Sequence, residues 1–234
     1  MENYDEELDH PHGTGYVWIQ DFVYGGIDGA VTTFAVVAGV EGASLSIPII
    51  LILGFANLFA DGFSMSVGKY LSDKSQLEQY DKIREIEMDH IKTRSAHEKQ
   101  EVREILQTYN FKGKGLEAAT ETITSNPDAW VDLMMRNEFS MTRENISPIT
   151  GSLVTFGSFV LIGFIPLAGY IFDLGNQFLT AIFATILALF LVGLIKSRFS
   201  MRNWLLSGLE TAAIGGAAAA IAYLVGYLLR GIAL

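Results

Sequence analysis

The sequence predicts an all-α membrane protein: five transmembrane helices, with a polar helical segment inserted between the second and third. Three observations carry this reading. Five apolar runs are long enough to cross a bilayer, the charge is gathered in one block, and two of the apolar runs contain a carboxylate. Residues 71–147 hold 26 of the 42 Asp, Glu, Lys and Arg residues, which leaves 16 for the other 157. Apolar stretches so poor in charge exclude an ordinary water-soluble enzyme, and a chain that is 50% hydrophobic is not disordered. The absence of cysteine excludes a disulfide scaffold, a thiolate zinc site and a cysteine nucleophile. A net charge of −10 leaves little basic surface to neutralise phosphates, so nucleic acid is excluded as a partner and cationic ligands are favoured.

A helix crossing a hydrocarbon core of about 30 Å needs about 20 mostly apolar residues. Residues 22–40 and 48–68 form the first two spans, each interrupted by one acid, Asp28 and Asp61 respectively. Residues 149–172, 174–195 and 211–229 carry no formal charge and supply the other three. The chain divides accordingly into an acidic tail (1–15), spans one and two (16–70), the polar segment (71–147) and spans three to five (148–234). The tail holds five acidic residues and no Lys or Arg, so it is not a secretory signal; its His10 and His12 would bind metal only weakly. Twelve of the 16 Lys and Arg lie between Lys69 and Arg143, and Lys196, Arg198 and Arg202 follow span four, whereas the turns 41–46 and 173–177 have none. The positive-inside rule then puts the N-terminus and the polar segment in the cytoplasm and the C-terminus outside.

Within the polar segment, residues 71–109 lack Pro and Gly and read as helix continuing from span two, with a break near 93–95. Gly113 and Gly115 mark a turn, 116–124 a second helix, and Asn126-Pro127-Asp128 the start of a third running over 129–143. Glu87 and His90 are three apart, as are Glu98 and Glu101, so each pair shares a helix face. Glu87 and Glu98 are eleven residues apart, about three full turns. Met134, Met135 and Glu138 add thioethers one turn before a carboxylate. Carboxylate, imidazole and thioether together suit Mn²⁺ and Fe²⁺ over Ca²⁺ and Mg²⁺. A solvated helical surface with ordinary ion pairs to Lys92, Arg94, Lys99 and Arg103 fits the same pattern.

An unpaired carboxylate in hydrocarbon costs roughly 2.5–3.5 kcal/mol, so Asp28 points to a polar interior, while Asp61, near the cytoplasmic end, either lines that interior or reaches headgroup water. Thr32 lies one turn after Asp28. Asn57, Asp61 and Met65 recur every four residues as one stripe, on which Met65 is either a soft ligand or packing filler. Asp21 and Glu210, nearer the boundary, are expected to reach headgroup water. Gly25 with Gly29, and Ala212 with Gly216 and Ala220, are small-residue pairs that predict close helix packing. Five spans enclose a pathway poorly, which favours a homodimer sharing one conduit.

These residues resemble the vacuolar iron transporter family over nearly the whole chain. The resemblance rests on the first-span run Gly26 to Gly39, Ser64-Met65 with Gly68 and Tyr70, the run Trp130 to Arg136 with Glu138, Gly208-Leu209, and the Ala-rich stretch from Gly215 to Tyr223. It implies a homodimer of five-span subunits with a cytoplasmic metal-binding domain between spans two and three. It implies export of Fe²⁺, often Mn²⁺ too, from the cytosol in exchange for protons, across the inner membrane of a prokaryote or the vacuolar membrane of a eukaryote. Asp28 and Met65 match the family's intramembrane pathway, and Glu87, Glu98, Glu101, Met134, Met135 and Glu138 its cytoplasmic ligands. Co²⁺, Ni²⁺ and Zn²⁺ are not ranked against the other ions by the ligands alone. Three positions depart from the family pattern: His90 and Asn57 stand where Glu is usual, and Lys69 where an acid commonly follows Ser-Met. His90 remains a possible ligand, Asp61 supplies a carboxylate one turn from Asn57, and Lys69 is expected to pair with Asp73. The alternative is a membrane-anchored metal sensor or buffer without translocation. An enzyme is disfavoured: none of the four His lies in a span, and neither H-E-x-x-H nor G-x-S-x-G occurs.

Overall fold

The five expected spans correspond to five helices that are long and apolar enough to cross a membrane: Trp18–Gly42, the first part of Ile47–Thr93, Pro148–Ile171, Gln177–Ser197 and Trp204–Gly231. The structure is a computed structural model, and it describes residues 17–143, 147–198 and 201–233. The acidic tail expected over 1–15 lies outside the described residues. Among those described, the regular elements are all helical: α1 (Val17–Gly42), α2 (Ile47–Thr93), α3 (Ser95–Thr108), α4 (Gly113–Thr124), α5 (Pro127–Asn137), α6 (Pro148–Gly163), α7 (Ile165–Ile171), α8 (Gln177–Ser197) and α9 (Trp204–Ala233). The chain forms two compact units, one of Met1–Leu71 with Ile146–Leu234 and one of Ser72–Asn145.

In the larger unit, glycine determines how closely the helices approach. A methyl group added at Gly25 would collide with the Thr155 carbonyl and the Ser158 hydroxyl, and one at Gly29 with the Phe159 carbonyl. α1 therefore lies backbone to backbone on α6, as the small-residue pair predicts. On α9 the expected stripe is displaced by one position. Thr211, Gly215 and Ala219 are buried, whereas Gly216 meets nothing within 4 Å. The reason is local: Gly215 packs against the Leu189 side chain of α8, which fixes the rotation of α9 and turns Ala212, Gly216 and Ala220 away from the tightest contact. The third span is two helices. Pro166 has no N–H to give the preceding turn, so α6 ends at Gly163 and α7 restarts with Leu167 donating to the Phe164 carbonyl at 3.0 Å. A core of Phe34, Val37, Val40, Ile50, Leu167, Tyr170, Ala181 and Ala219 ties α1, α2, α7, α8 and α9 together.

The smaller unit closes on its own core of Tyr80, Ile91, Val102, Leu106, Leu116, Trp130, Val131, Met134 and Met135. Each of its four helical pieces contributes to that core. The break expected near 93–95 falls at Arg94, whose φ of −130° interrupts the helix between α2 and α3. Two boundaries differ from expectation. α4 begins at Gly113, whose φ of +53° suits a residue without Cβ, so the glycines open the helix instead of preceding it. α5 ends at Asn137 and does not run to 143. Asn137 donates its side-chain N–H to the Leu133 carbonyl, Ser140 takes a left-handed φ of 53°, and the Met141 N–H turns back to the Met135 carbonyl at 2.8 Å.

Candidate functional site

The break at Arg94 builds the first site. In one straight helix, eleven residues would separate Glu87 from Glu98 by about 16 Å along the axis. Instead α3 turns back, and one ligand atom each from Glu87, His90 and Glu98 lie within 4.8 Å of one another. The reading of these acids as three turns of one helix is thus corrected: they come from two helices, and the bend joins them. His90 Nδ1 lies 3.3 Å from Glu87 Oε1 and 3.9 Å from Glu98 Oε1.

Glu87 and Glu98 are each only 3% exposed, and Oε2 of each has no hydrogen-bond partner among the described residues. Leaving buried carboxylate oxygens unsatisfied is costly, and a bound cation is one group that would satisfy them. The electrostatics agree. Burial, then the neighbouring charge of Glu101 and its hydrogen bond, and then the charge of Glu87, raise the Glu98 pKa to about 7, while His90 opposes the shift. Glu138 is raised as well, by burial first and then by Glu101 and Glu87. Four carboxylates and an imidazole therefore share one field. Such an arrangement repels itself when empty and attracts a divalent ion.

The other predicted ligands take different places. Glu101 faces His97, with Nε2 to Oε1 at 3.4 Å, a partner that the spacing pattern passed over although i, i+4 was its signal. Met134 and Met135 are fully buried in the apolar core beside Trp130 and Val131. The basic residues divide. Lys99 pairs with Glu121 and Arg103 with Glu117, which is the ordinary surface behaviour weighed for them.

The second set of polar groups lies in the larger unit, along the seam of α1 and α2. Thr32 donates to the Asp28 carbonyl at 2.8 Å, and the Asn57 side-chain N–H reaches Thr32 Oγ1 at 3.5 Å. Asp28, Asp61 and Met65 are half-buried. The structure thus joins Asn57 to Thr32 between the two helices, with Asp28 one turn from Thr32 on α1, and Asp61 and Met65 one and two turns from Asn57 on α2. Ser66 fastens that stripe to α6 by donating to the Ser152 carbonyl at 2.9 Å.

Asp21 does not reach outward as expected. It is 5% exposed, and its Oδ1 lies 3.1 Å from Lys69 Nζ. The buried carboxylate meets the Lys69 ammonium of α2 in place of water. Glu210 is exposed and accepts from Arg202 at 2.8 Å. The Asp21–Lys69 pair was not readable from either stripe alone, because its partners are 48 positions apart.

Comparison with known proteins adds an independent line. The chain matches the VIT family over residues 19–227. It is 33% identical over 219 residues to vacuolar iron transporter 1 of Oryza sativa subsp. japonica, covering 92% of this chain and 87% of that protein. It is 34% identical over 215 residues to the vacuolar iron transporter of Centaurea cyanus, covering 91% of this chain and 88% of that one. With the vacuolar iron transporter of Toxoplasma gondii the identity is 33% over 238 residues, covering 97% of this chain and 78% of the relative.

Proposed function

The chain belongs to the VIT family, and from that premise we propose that it is a proton-coupled transporter carrying Fe²⁺, and Mn²⁺ as well, out of the cytosol. The observation that carries this reading is the contact of Asn57 with Thr32 between α1 and α2, which has Asp28 and Asp61 each one turn away on those two apolar helices. Acids in such helices persist where they line a polar route. The smaller unit is the cytosolic collector: Glu87, His90 and Glu98 hold the ion, Glu101 and Glu138 lend charge, and Met134 and Met135 lend thioether donors. The ion then passes Met65, Asp61 and Asp28. Carboxylates bind metal only when deprotonated, so a proton arriving from the far side discharges the ion and resets the acids.

Two copies share the conduit. Asp28, Asp61 and Met65 are half-buried within one chain, and a second copy laid against this seam would complete their enclosure. The N-terminus and the smaller unit face the cytosol, following the distribution of Lys and Arg. The host membrane is the inner membrane in a prokaryote and the vacuolar membrane in a eukaryote.

The second reading, a sensor or buffer, is favoured by the cluster at Glu87, His90 and Glu98, which needs no pathway to bind an ion. Proteoliposome flux separates the two. Transport predicts Fe²⁺ and Mn²⁺ movement that grows with an imposed pH gradient, with Co²⁺, Ni²⁺ and Zn²⁺ run alongside to rank the ions. A sensor predicts binding without flux.

A further inference from the structure

Lys69 is the residue that a cation pathway accommodates least easily, because a fixed positive charge repels the ion to be moved. Its surroundings give it a role. On α1, Asp21, Asp28 and Thr32 follow one another at seven and four residues, and on α2, Asn57, Asp61, Met65 and Lys69 at four. The α1 spacings keep side chains on one helix face, and the four-residue steps on α2 make a row that winds about 40° per step. The two faces are pinned at both ends, by Asn57 to Thr32 at 3.5 Å and by Lys69 to Asp21 at 3.1 Å. Lys69 thus belongs to the same seam as the acids, at the end nearest the end of the unit at Leu71.

From this geometry we infer that Lys69 is a tethered counter-cation on Asp21, and that a divalent ion is admitted to the seam by displacing it. The inference rests on the transport reading above. The Asp21 side chain is 7% exposed and that of Lys69 22%, so the carboxylate is the deeper partner and the ammonium the one with a route outward. A buried carboxylate stripped of its partner is strongly unfavourable, so Asp21 is not left empty. It exchanges one cation for another. Lysine suits this exchange: its ammonium is a point charge on a flexible four-carbon stem, able to swing away without the geometric lock that a guanidinium fork would impose. Lys69 is accordingly a selectivity residue, setting how much charge an ion must bring to gain the seam.

The test is Fe²⁺ uptake into proteoliposomes, with ascorbate to keep iron reduced, by the full-length protein. Lys69→Gln keeps an N–H donor for Asp21 but removes the charge; it lowers the KM for Fe²⁺ about five-fold with little change in kcat. Lys69→Arg, held by the stronger fork, leaves KM unchanged or raised. An unchanged or raised KM in Lys69→Gln overturns the inference. Should Lys69→Gln fail to fold, the wild-type protein still decides. Site-resolved amine acylation, read by mass spectrometry, speeds up at Lys69 as Fe²⁺ approaches the concentration that half-saturates uptake. Labelling indifferent to Fe²⁺ means that the pair stays closed as a mere clamp, and overturns the inference. Absence of Fe²⁺ flux in the wild-type protein sinks the transport reading and this inference with it, whereas flux with an unmoved KM in Lys69→Gln sinks this inference alone.

Discussion

Glu87 and Glu98 meet across the break at Arg94: with His90 they place ligand atoms within 4.8 Å of one another, and each carboxylate keeps one buried oxygen without a hydrogen-bond partner among the described residues. Glu98→Gln removes one charge and leaves the bend intact. We expect Fe²⁺ or Mn²⁺ affinity, measured by calorimetry on the full chain in detergent, to fall at least ten-fold, about 1.4 kcal/mol. Unchanged affinity would place the ion elsewhere.

The raised Glu98 pKa fixes the sign of a pH effect. Its folded value, about 7, lies above the ordinary 4.5. The metal-free protein therefore gains stability from this group below pH 4.5 and loses it as pH rises through 7. Metal binding runs the opposite way, because the ligand must first lose its proton. Thermal melts of the whole protein in detergent should show metal-free stability falling between pH 5 and about 8, and metal-induced stabilisation growing over the same window. A metal effect equal at both ends would contradict the assignment of Glu98 as a ligand.

Met134 serves packing, and in the proposed collector it also serves as a donor. Met134→Leu keeps the volume of a fully buried side chain and should cost less than about 1.5 kcal/mol of stability. If the thioether is a ligand, the preference for Fe²⁺ over Mg²⁺ drops while Mg²⁺ affinity holds. A preference that does not move assigns Met134 to the core alone.

Gly29 tests the α1–α6 contact. Gly29→Ala drives a methyl group into the Phe159 backbone and should cost about 1–3 kcal/mol in a detergent melt. Gly157, where an added Cβ meets nothing within 4 Å, is the matched control, and its change to Ala should be neutral or mildly stabilising. Equal losses at both positions would deny the close approach.

What was legible in the sequence follows the range of the forces involved. The spans were readable because length and missing charge are local properties, and so was the break at Arg94, flanked by Thr93 and Ser95. The end of α5 was not, because it is set by a left-handed Ser140 and a return hydrogen bond from Met141, neither of which periodicity registers. The rotation of α9 is not readable for a related reason: two small-residue stripes lie side by side, and side chains of the neighbouring helices, Leu189 and Val31 against Gly215, choose between them. Among the candidate ligands, Glu87 and His90 were readable as one turn of one helix. Glu98 joins them only because the chain bends.

The account stands or falls on the carboxylate of Asp28. Fe²⁺ flux into proteoliposomes under a pH gradient, compared between wild type and Asp28→Asn at matched protein density, tests it most directly. We predict that Asp28→Asn lowers flux at least ten-fold while calorimetric Fe²⁺ binding at Glu87, His90 and Glu98 stays as in the wild type. Undiminished flux in Asp28→Asn would contradict the account.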